Sequence, residues 1–489
     1  MTSNKDPNDF FYSIATLFLL AFSLLSFIYL AFIAQMIVVQ DAISFEYSAK
    51  VLHNSGWIEF FKTGLHREPF YIILISQSMG LADLLHVPYQ DVLKFIQIGF
   101  LFATQLLAYY LLRKLSVQRY LTLLIVFLIG FLPSFLDSAF NLYSEIATYP
   151  FILALVISTS DLLSRIKLAS GQWDSEQTIK FLLLSFSTSI LFVIITLTKA
   201  PFEYCGILYI LFFGILFLKS LQKKEHSRSF LLLSFILIFA FTFLPSVNCY
   251  KSLNKKHNGN YAITNRGPFM FYGNTSRHME PFRWQHVAVG VFCAMGSGEQ
   301  KVCQMVMGKD NCSFWTFVRS DEHAHQLYQE LTQQGYSSAD VDKMYVKLAV
   351  QMIFKNPFQY ILFYIPEVLS IVFFKAAETG FAAYPTWLSQ ILGFEPFRYT
   401  INFLSASLTF LALILLTHFC WKNLKTVFEF SYHEKGPTPI LISIFIIVIP
   451  LIGLYALTSV QTRYCLPIAP LFLILIAFFI NRKIQPKRT

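Results

Sequence analysis

Residues Phe10–Gln40 read FFYSIATLFLLAFSLLSFIYLAFIAQMIVVQ, 31 consecutive positions without an acidic or basic side chain. A helix crosses a bilayer with about 20 mostly apolar residues, so this run is long enough to span one. It is too long for the apolar core of a cleaved signal peptide, and no small-residue cleavage site closes it. Comparable charge-free runs follow between Lys94 and Arg113, Arg119 and Asp137, Glu145 and Asp161, Lys180 and Lys199, Glu203 and Lys219, and Arg228 and Lys251. After a polar gap come Arg398 to His418, Lys435 to Arg463, and Arg463 to Arg482, which makes ten spans. Pro69–Ala82 is apolar but short. Residues 351–375 are apolar but interrupted by Lys355, Pro357, Pro366 and Glu367.

The composition agrees with this pattern. Of 489 residues only 13% are charged, against roughly 25% in a soluble chain. A soluble multidomain enzyme is excluded. With 20 Gly and 19 Pro, so is a fibrous or disordered chain. The fold class is an all-α polytopic membrane protein. The net charge of +10 is not read as nucleic-acid binding, because Lys and Arg concentrate in the cytoplasmic loops of membrane proteins. Basic clusters at Arg113–Lys114–Arg119, Arg165–Lys167, Lys219–Arg228, Lys422–Lys425 and Arg482–Arg488 all fall inside under one topology. The N-terminus is inside, 69–86 lies on the outer face without crossing, and 351–397 crosses an even number of times. The expectation is 10 or 12 spans with both ends cytoplasmic.

This topology divides the chain into an N-terminal transmembrane module, 1–247, with an outer loop at 40–90, then a small extracytoplasmic segment, 248–350, and a C-terminal transmembrane module, 351–489. The extracytoplasmic segment reads as mixed: turns at Asn258–Asn260 and Gly273–Asn274, a helix at Asp321–Gln333 and another from Ser338. Cys249, Cys293, Cys303 and Cys312 fall in or beside it. Their spacing matches no zinc pattern, and an oxidising compartment would allow one or two disulfides.

Charge is scarce, so ionisable groups at the outer boundary stand out as functional candidates. They are Asp41, His66, Arg67, Glu68, Glu145, Lys199 and Arg463, with Tyr47 and Tyr464 beside them. Each has a structural alternative. Asp41 would merely end a helix, Arg463 and Lys199 would be interfacial anchors, and His66–Arg67–Glu68 would pair internally. Glu145 is harder to dismiss, because it opens an apolar run where a neutral residue would cost less.

The order of these features resembles a family. An acidic residue follows the first span and opens Asp41-x5-Tyr47-x-Ala49-x-x-Leu52. Arg67-Glu68-Pro69-Phe70-Tyr71 comes next, then Leu111-Leu112-Arg113-Lys114-Leu115 at a helix end, Tyr143-Ser144-Glu145 in the next outer loop, and Arg463-Tyr464-x-x-Pro467-x-x-Pro470 between the last two spans. The arrangement is similar to the GT-C glycosyltransferases. These are the polyprenyl-phosphate-sugar-dependent group that includes protein O-mannosyltransferases and the lipid A aminoarabinose transferase. It covers the first two hundred residues best and the last fifty in outline. The doubled Asp-Glu of protein O-mannosyltransferases is missing, since Ala42 follows Asp41, which disfavours that subfamily.

The resemblance implies an inverting hexosyl or pentosyl transferase with a GT-C-like fold. Its donor would be a polyprenyl-phosphate sugar and its acceptor a lipid, glycan or protein. Asp41 would take the acceptor's proton, and Glu145 would assist through the acceptor or a divalent cation, the one cofactor left open. Arg463, with Arg67 or Lys199, would stabilise the charge that develops on the leaving phosphate. Two other readings use the same features. A polysaccharide ligase or polymerase would place basic residues such as Arg266, Arg277 and Arg283 in the large outer segment. A lipid-linked-sugar transporter would show related halves or charge at the midplane. The Lys-, Asn-, Phe- and Ile-rich composition and the lack of a retention signal point to a bacterial inner membrane with a periplasmic site.

Overall fold

The computed structural model describes residues 7–64, 67–169, 174–292, 294, 304–305, 308–315, 317–380, 382–433, 436–458 and 462–484. The chain is nearly all helix. The first half comprises α1 (Pro7–Ile33), α2 (Asp41–Lys62), α3 (Pro69–Leu85), α4 (Tyr89–Lys114), α5 (Arg119–Phe131), α6 (Pro133–Phe140), α7 (Glu145–Leu168), α8 (Ser175–Thr198), α9 (Phe202–Gln222) and α10 (His226–Asn258). The outer segment adds α11 (Arg266–His278), α12 (Trp284–Phe292), α13 (Lys309–Ser313), α14 (Phe317–Gln333) and α15 (Ser338–Lys355). The chain closes with α16 (Pro357–Val372), α17 (Thr386–Gly393), α18 (Glu395–Phe428), α19 (Thr438–Ala456), a 3-10 turn at Thr462–Ile468, and α20 (Ala469–Ile484).

Among the described residues nine helices are long and apolar enough to cross a membrane. Helices satisfy their own backbone polar groups, which hydrocarbon cannot do. A tenth span is α5 with α6, bent by 44°. The bend has a local cause: Leu132 precedes Pro133 and sits at φ −63, ψ 136, because proline disfavours the α region for the residue before it. On α1, Phe18, Leu25 and Phe32 are exposed, as a lipid-facing helix requires. By contrast α7 is mostly buried and forms the centre of the bundle.

The basic ends of the spans touch one another. Arg228 donates to the carbonyls of Ile166 (3.1 Å) and Lys167 (2.9 Å), Lys223 donates to that of Glu429 (3.1 Å), and the Gln118 amide donates to Asn481 Oδ1 (3.1 Å). Lys114 pairs with Asp161. The basic clusters therefore share one face, as the charge pattern requires.

Helix α16, 16 residues long, reaches about 24 Å and does not add a span. At its start Gln359 Nε2 donates to the carbonyls of His278 (2.7 Å) and Glu280 (2.8 Å) in the outer segment. Beyond its end, Ala382–Ala383 pairs antiparallel with Gln35–Met36 at the outer end of α1. The excursion thus begins and ends at the same end of the bundle, and among the described residues the spans number up to ten rather than twelve.

The segment 248–350 is helical in its described parts, not mixed. Gly273 and Asn274 lie inside α11 rather than in a turn. The glycine serves packing: a Cβ there would sit 2.3 Å from the Ser320 carbonyl oxygen of α14. Helices α11, α14 and α15 share a small core of Tyr272, Ala324, Leu331, Val341, Tyr345 and Ala349. Cys312 is disulfide-bonded and Cys249 is free. Cys293 and Cys303 lie outside the described residues.

Candidate active site

At the ends of the spans opposite the basic clusters lies a cavity of about 600 Å³. Its walls come from the starts of α2, α7 and α9, the C-terminal ends of α8, α10 and α19, the loop at 261–264, α11 and the 3-10 turn. Five cations (Arg67, Lys199, Lys251, Arg266, Arg463) and four carboxylates (Asp41, Glu68, Glu145, Glu203) line it.

Asp41 is the first residue of α2. The preceding Gln40 adopts φ 52, ψ −121, a conformation that costs a non-glycine residue about 1–3 kcal/mol and turns the chain from the outer end of α1 into α2. One Asp41 oxygen receives Arg67 and, at 3.4 Å, Arg266; the other receives Arg463. Burial alone would raise the proton affinity of this carboxyl. Arg463, Arg67 and Arg266 outweigh it and hold the group well below the usual carboxylate range. The arginines are themselves positioned. Arg67 Nε donates to Ser44 Oγ at 2.8 Å and its guanidinium lies 5.3 Å from the Phe45 ring. Arg463 lies 4.4 Å over the Tyr143 ring. Burial and the adjacent Arg266 lower the proton affinity of Arg67 against the opposing pull of Asp41, which reflects crowded positive charge.

A second pair stands behind the first. Glu145, at the N-terminus of α7 where the helix dipole favours an anion, accepts from Lys199 Nζ at 2.8 Å. Both side chains are buried. Glu68 Oε1 accepts from the Ala200 amide at 3.3 Å, and Tyr464 stacks on Tyr455 at 5.1 Å. Further along the wall, Lys251 meets Glu203 at 2.7 Å and lies 4.6 Å from the Tyr261 ring.

Of the residues singled out in the sequence, Asp41, Arg67, Glu68, Glu145, Lys199, Arg463 and Tyr464 all line this one cavity. Tyr47 does not, and is 58% exposed. Six residues beyond Asp41 on α2, at about 100° per residue, it points away from the face that carries Asp41 and Phe45. His66 lies outside the described residues. The sequence reading missed Lys251, Glu203 and Tyr143 as site residues. It weighed Arg266 only as one of three outer-segment arginines. Of those, Arg266 enters the cavity, whereas Arg277 is buried at the far end of α11 and Arg283 does not line it.

Among the described residues no group of three or more His, Cys, Asp or Glu is arranged to hold a metal ion.

No family model matches the chain, and no curated protein matches it. Among solved structures, one likeness is to the archaeal oligosaccharyltransferase AglB from Archaeoglobus fulgidus, determined in complex with an inhibitory peptide and a dolichol-phosphate. The identity is 13% and the TM-score 0.45, over 94% of this chain and 49% of that one. The chain thus spans about half the length of the structure it matches.

Proposed function

We propose that this chain is a GT-C-type glycosyltransferase that moves a sugar from a polyprenyl-phosphate donor to a hydroxyl acceptor at the outer face of a membrane, in a bacterium the inner membrane. The observation that carries the reading is the cluster of Arg67, Arg266 and Arg463 on the single carboxylate of Asp41. With these three arginines the cavity lining carries five cations to four carboxylates, one positive charge in excess. The excess lies at the outer ends of the spans, where a lipid phosphate at the membrane surface can reach it. Guanidinium forks suit phosphate oxygens, and donors fixed before the reaction stabilise the charge that grows on the leaving group.

The chemistry follows from this arrangement. The acceptor oxygen forms a bond to the anomeric carbon while the bond to the phosphate oxygen breaks. The electron pair leaves on the phosphate, where Arg463 and its neighbours receive it. Attack opposite the leaving group inverts the anomeric centre. The acceptor proton passes to Asp41. A carboxylate held by three arginines is a weak base, so Asp41 takes this role once the donor phosphate has drawn arginines away from it. Lys199 and Glu145 then lie beside the reacting atoms as a paired, net-neutral wall.

A ligase or polymerase of surface polysaccharide would use the same chemistry, and the entry of Arg266 from the outer segment favours it as a second reading. Transport is less well supported, because the cavity lining comes from the outer ends of the spans. The test is incubation of purified protein with undecaprenyl-phosphate sugars in lipid nanodiscs. Released undecaprenyl phosphate, dependent on Arg463, supports the reading. Stable donor that is carried across a vesicle membrane opposes it.

A further inference from the structure

Outside the cavity lies a second charged cluster that the reaction does not use. Arg277 and His278, at the last turn of α11, and Glu367, in the middle of α16, are all buried. Arg277 donates to Glu367, and His278 Nε2 lies 3.4 Å from the same carboxylate oxygen. The guanidinium of Arg277 is 4.9 Å from the Trp315 ring, and the His278 ring stacks on Phe363 at 5.5 Å. Burying charges in this way is costly, and stability alone seldom accounts for it.

The geometry points to a positioning role. Helix α11 carries Arg266 at its first residue and Arg277 eleven residues later, about 16 Å along the axis. One end of the rod supplies a cation to Asp41, and the other end is locked into α16. Two further ties hold the same rod. Asn274 accepts from Arg277 at 2.5 Å and donates to the Leu457 carbonyl at 3.4 Å, in the cavity wall. Gln359 of α16 caps the carbonyl of His278 at 2.7 Å. Gly273 permits the close approach of α14 along the same helix.

We propose that Glu367, with Arg277, is a positioning residue: it fixes the distance and angle of α11 and thereby the place of Arg266 beside Asp41. This rests on the glycosyltransferase reading, because it takes Arg266 to be a phosphate ligand. Glu367 touches no substrate and acts only through the helix.

The test is a double-mutant cycle on the full-length protein in nanodiscs, with undecaprenyl phosphate as the probe and its Kd as the readout. Arg266→Ala should weaken binding. Glu367→Gln should weaken it roughly tenfold while the protein stays folded by size-exclusion and thermal unfolding. In the Arg266→Ala background the added effect of Glu367→Gln should vanish. If Glu367→Gln does not fold, Arg277→Lys, which keeps the charge but loses the planar fork, takes its place in the same cycle. Equal losses with and without Arg266 would overturn the proposal, as would unchanged binding in the folded variant. If wild-type protein does not bind undecaprenyl phosphate, or Arg266→Ala binds it normally, the functional reading of the arginine cluster fails before the cycle is reached.

Discussion

Lys199→Met is the most informative single perturbation of the site's stability. The Lys199 and Glu145 side chains are 11% and 5% exposed, with nitrogen and oxygen 2.8 Å apart. At an effective dielectric near 20 their attraction is about 6 kcal/mol, most of it offset by the cost of removing two charges from water. Removing one partner keeps the desolvation cost and loses the attraction, a penalty of about 3–5 kcal/mol for a buried pair. The Oε2 atom of Glu145 is buried without a hydrogen-bond partner among the described residues, so only the longer-range attraction of Arg463 softens the loss, towards the lower end of that range. Removing both charges with apolar groups of similar volume is close to neutral. Lys199→Met should therefore be severely destabilised, and Lys199→Met with Glu145→Leu should recover most of the loss. The assay is denaturant unfolding of wild type, both single variants and the double variant in one detergent. A Lys199→Met protein within about 1 kcal/mol of wild type would refute the reasoning, since it is outside the range expected for a buried pair.

Three further outcomes are expected. Arg463→Lys keeps the charge but loses the planar fork, and should raise the donor KM roughly tenfold or more, a loss of about 1.4 kcal/mol or greater, read by initial rates against donor concentration. Asp321 on α14 is pushed up to about 6 by burial, against the opposing pull of Arg266 and His325. The folded state thus holds a proton that the unfolded chain releases near pH 4. This group's contribution to stability falls as pH rises from about 4 to about 6, and the thermal unfolding profile of Asp321→Asn should lack that component. Gly273→Ala should destabilise the outer helices by about 1–3 kcal/mol, because its methyl group meets the Ser320 backbone; hydrogen exchange in α11 and α14 should rise, and an unchanged pattern would contradict the packing argument.

The spans were readable because lipid imposes one requirement on every crossing: some twenty residues of self-satisfied apolar helix. The gathering of the basic clusters at one end of the bundle was readable because Lys and Arg concentrate on one side of a membrane protein, and the contacts of Arg228, Lys223 and Gln118 place those clusters together. Scarcity of charge did the rest at the outer boundary, where seven chosen residues meet around one cavity. The misreadings have distinct causes. Tyr47 was chosen by its place in a motif, but the phase of α2 turns it away from Asp41. Gly273–Asn274 reads as a turn in sequence, yet the glycine is there for a close helix contact. Arg266 is 225 residues from Asp41 along the chain, and no local pattern links them. The placing of Ala382–Ala383 beside the end of α1 depends on pairing with Gln35–Met36, a contact too short to leave a sequence signal.

The measurement closest to the central claim is single-turnover transfer by purified protein from a polyprenyl-phosphate sugar, comparing wild type with Asp41→Asn at matched folding. The account predicts that wild-type protein releases polyprenyl phosphate and glycosylates an acceptor. It also predicts that Asp41→Asn still binds the donor through Arg67, Arg266 and Arg463 but loses at least about a hundredfold in rate, the scale of a missing general base. Near-wild-type turnover by Asp41→Asn would contradict it.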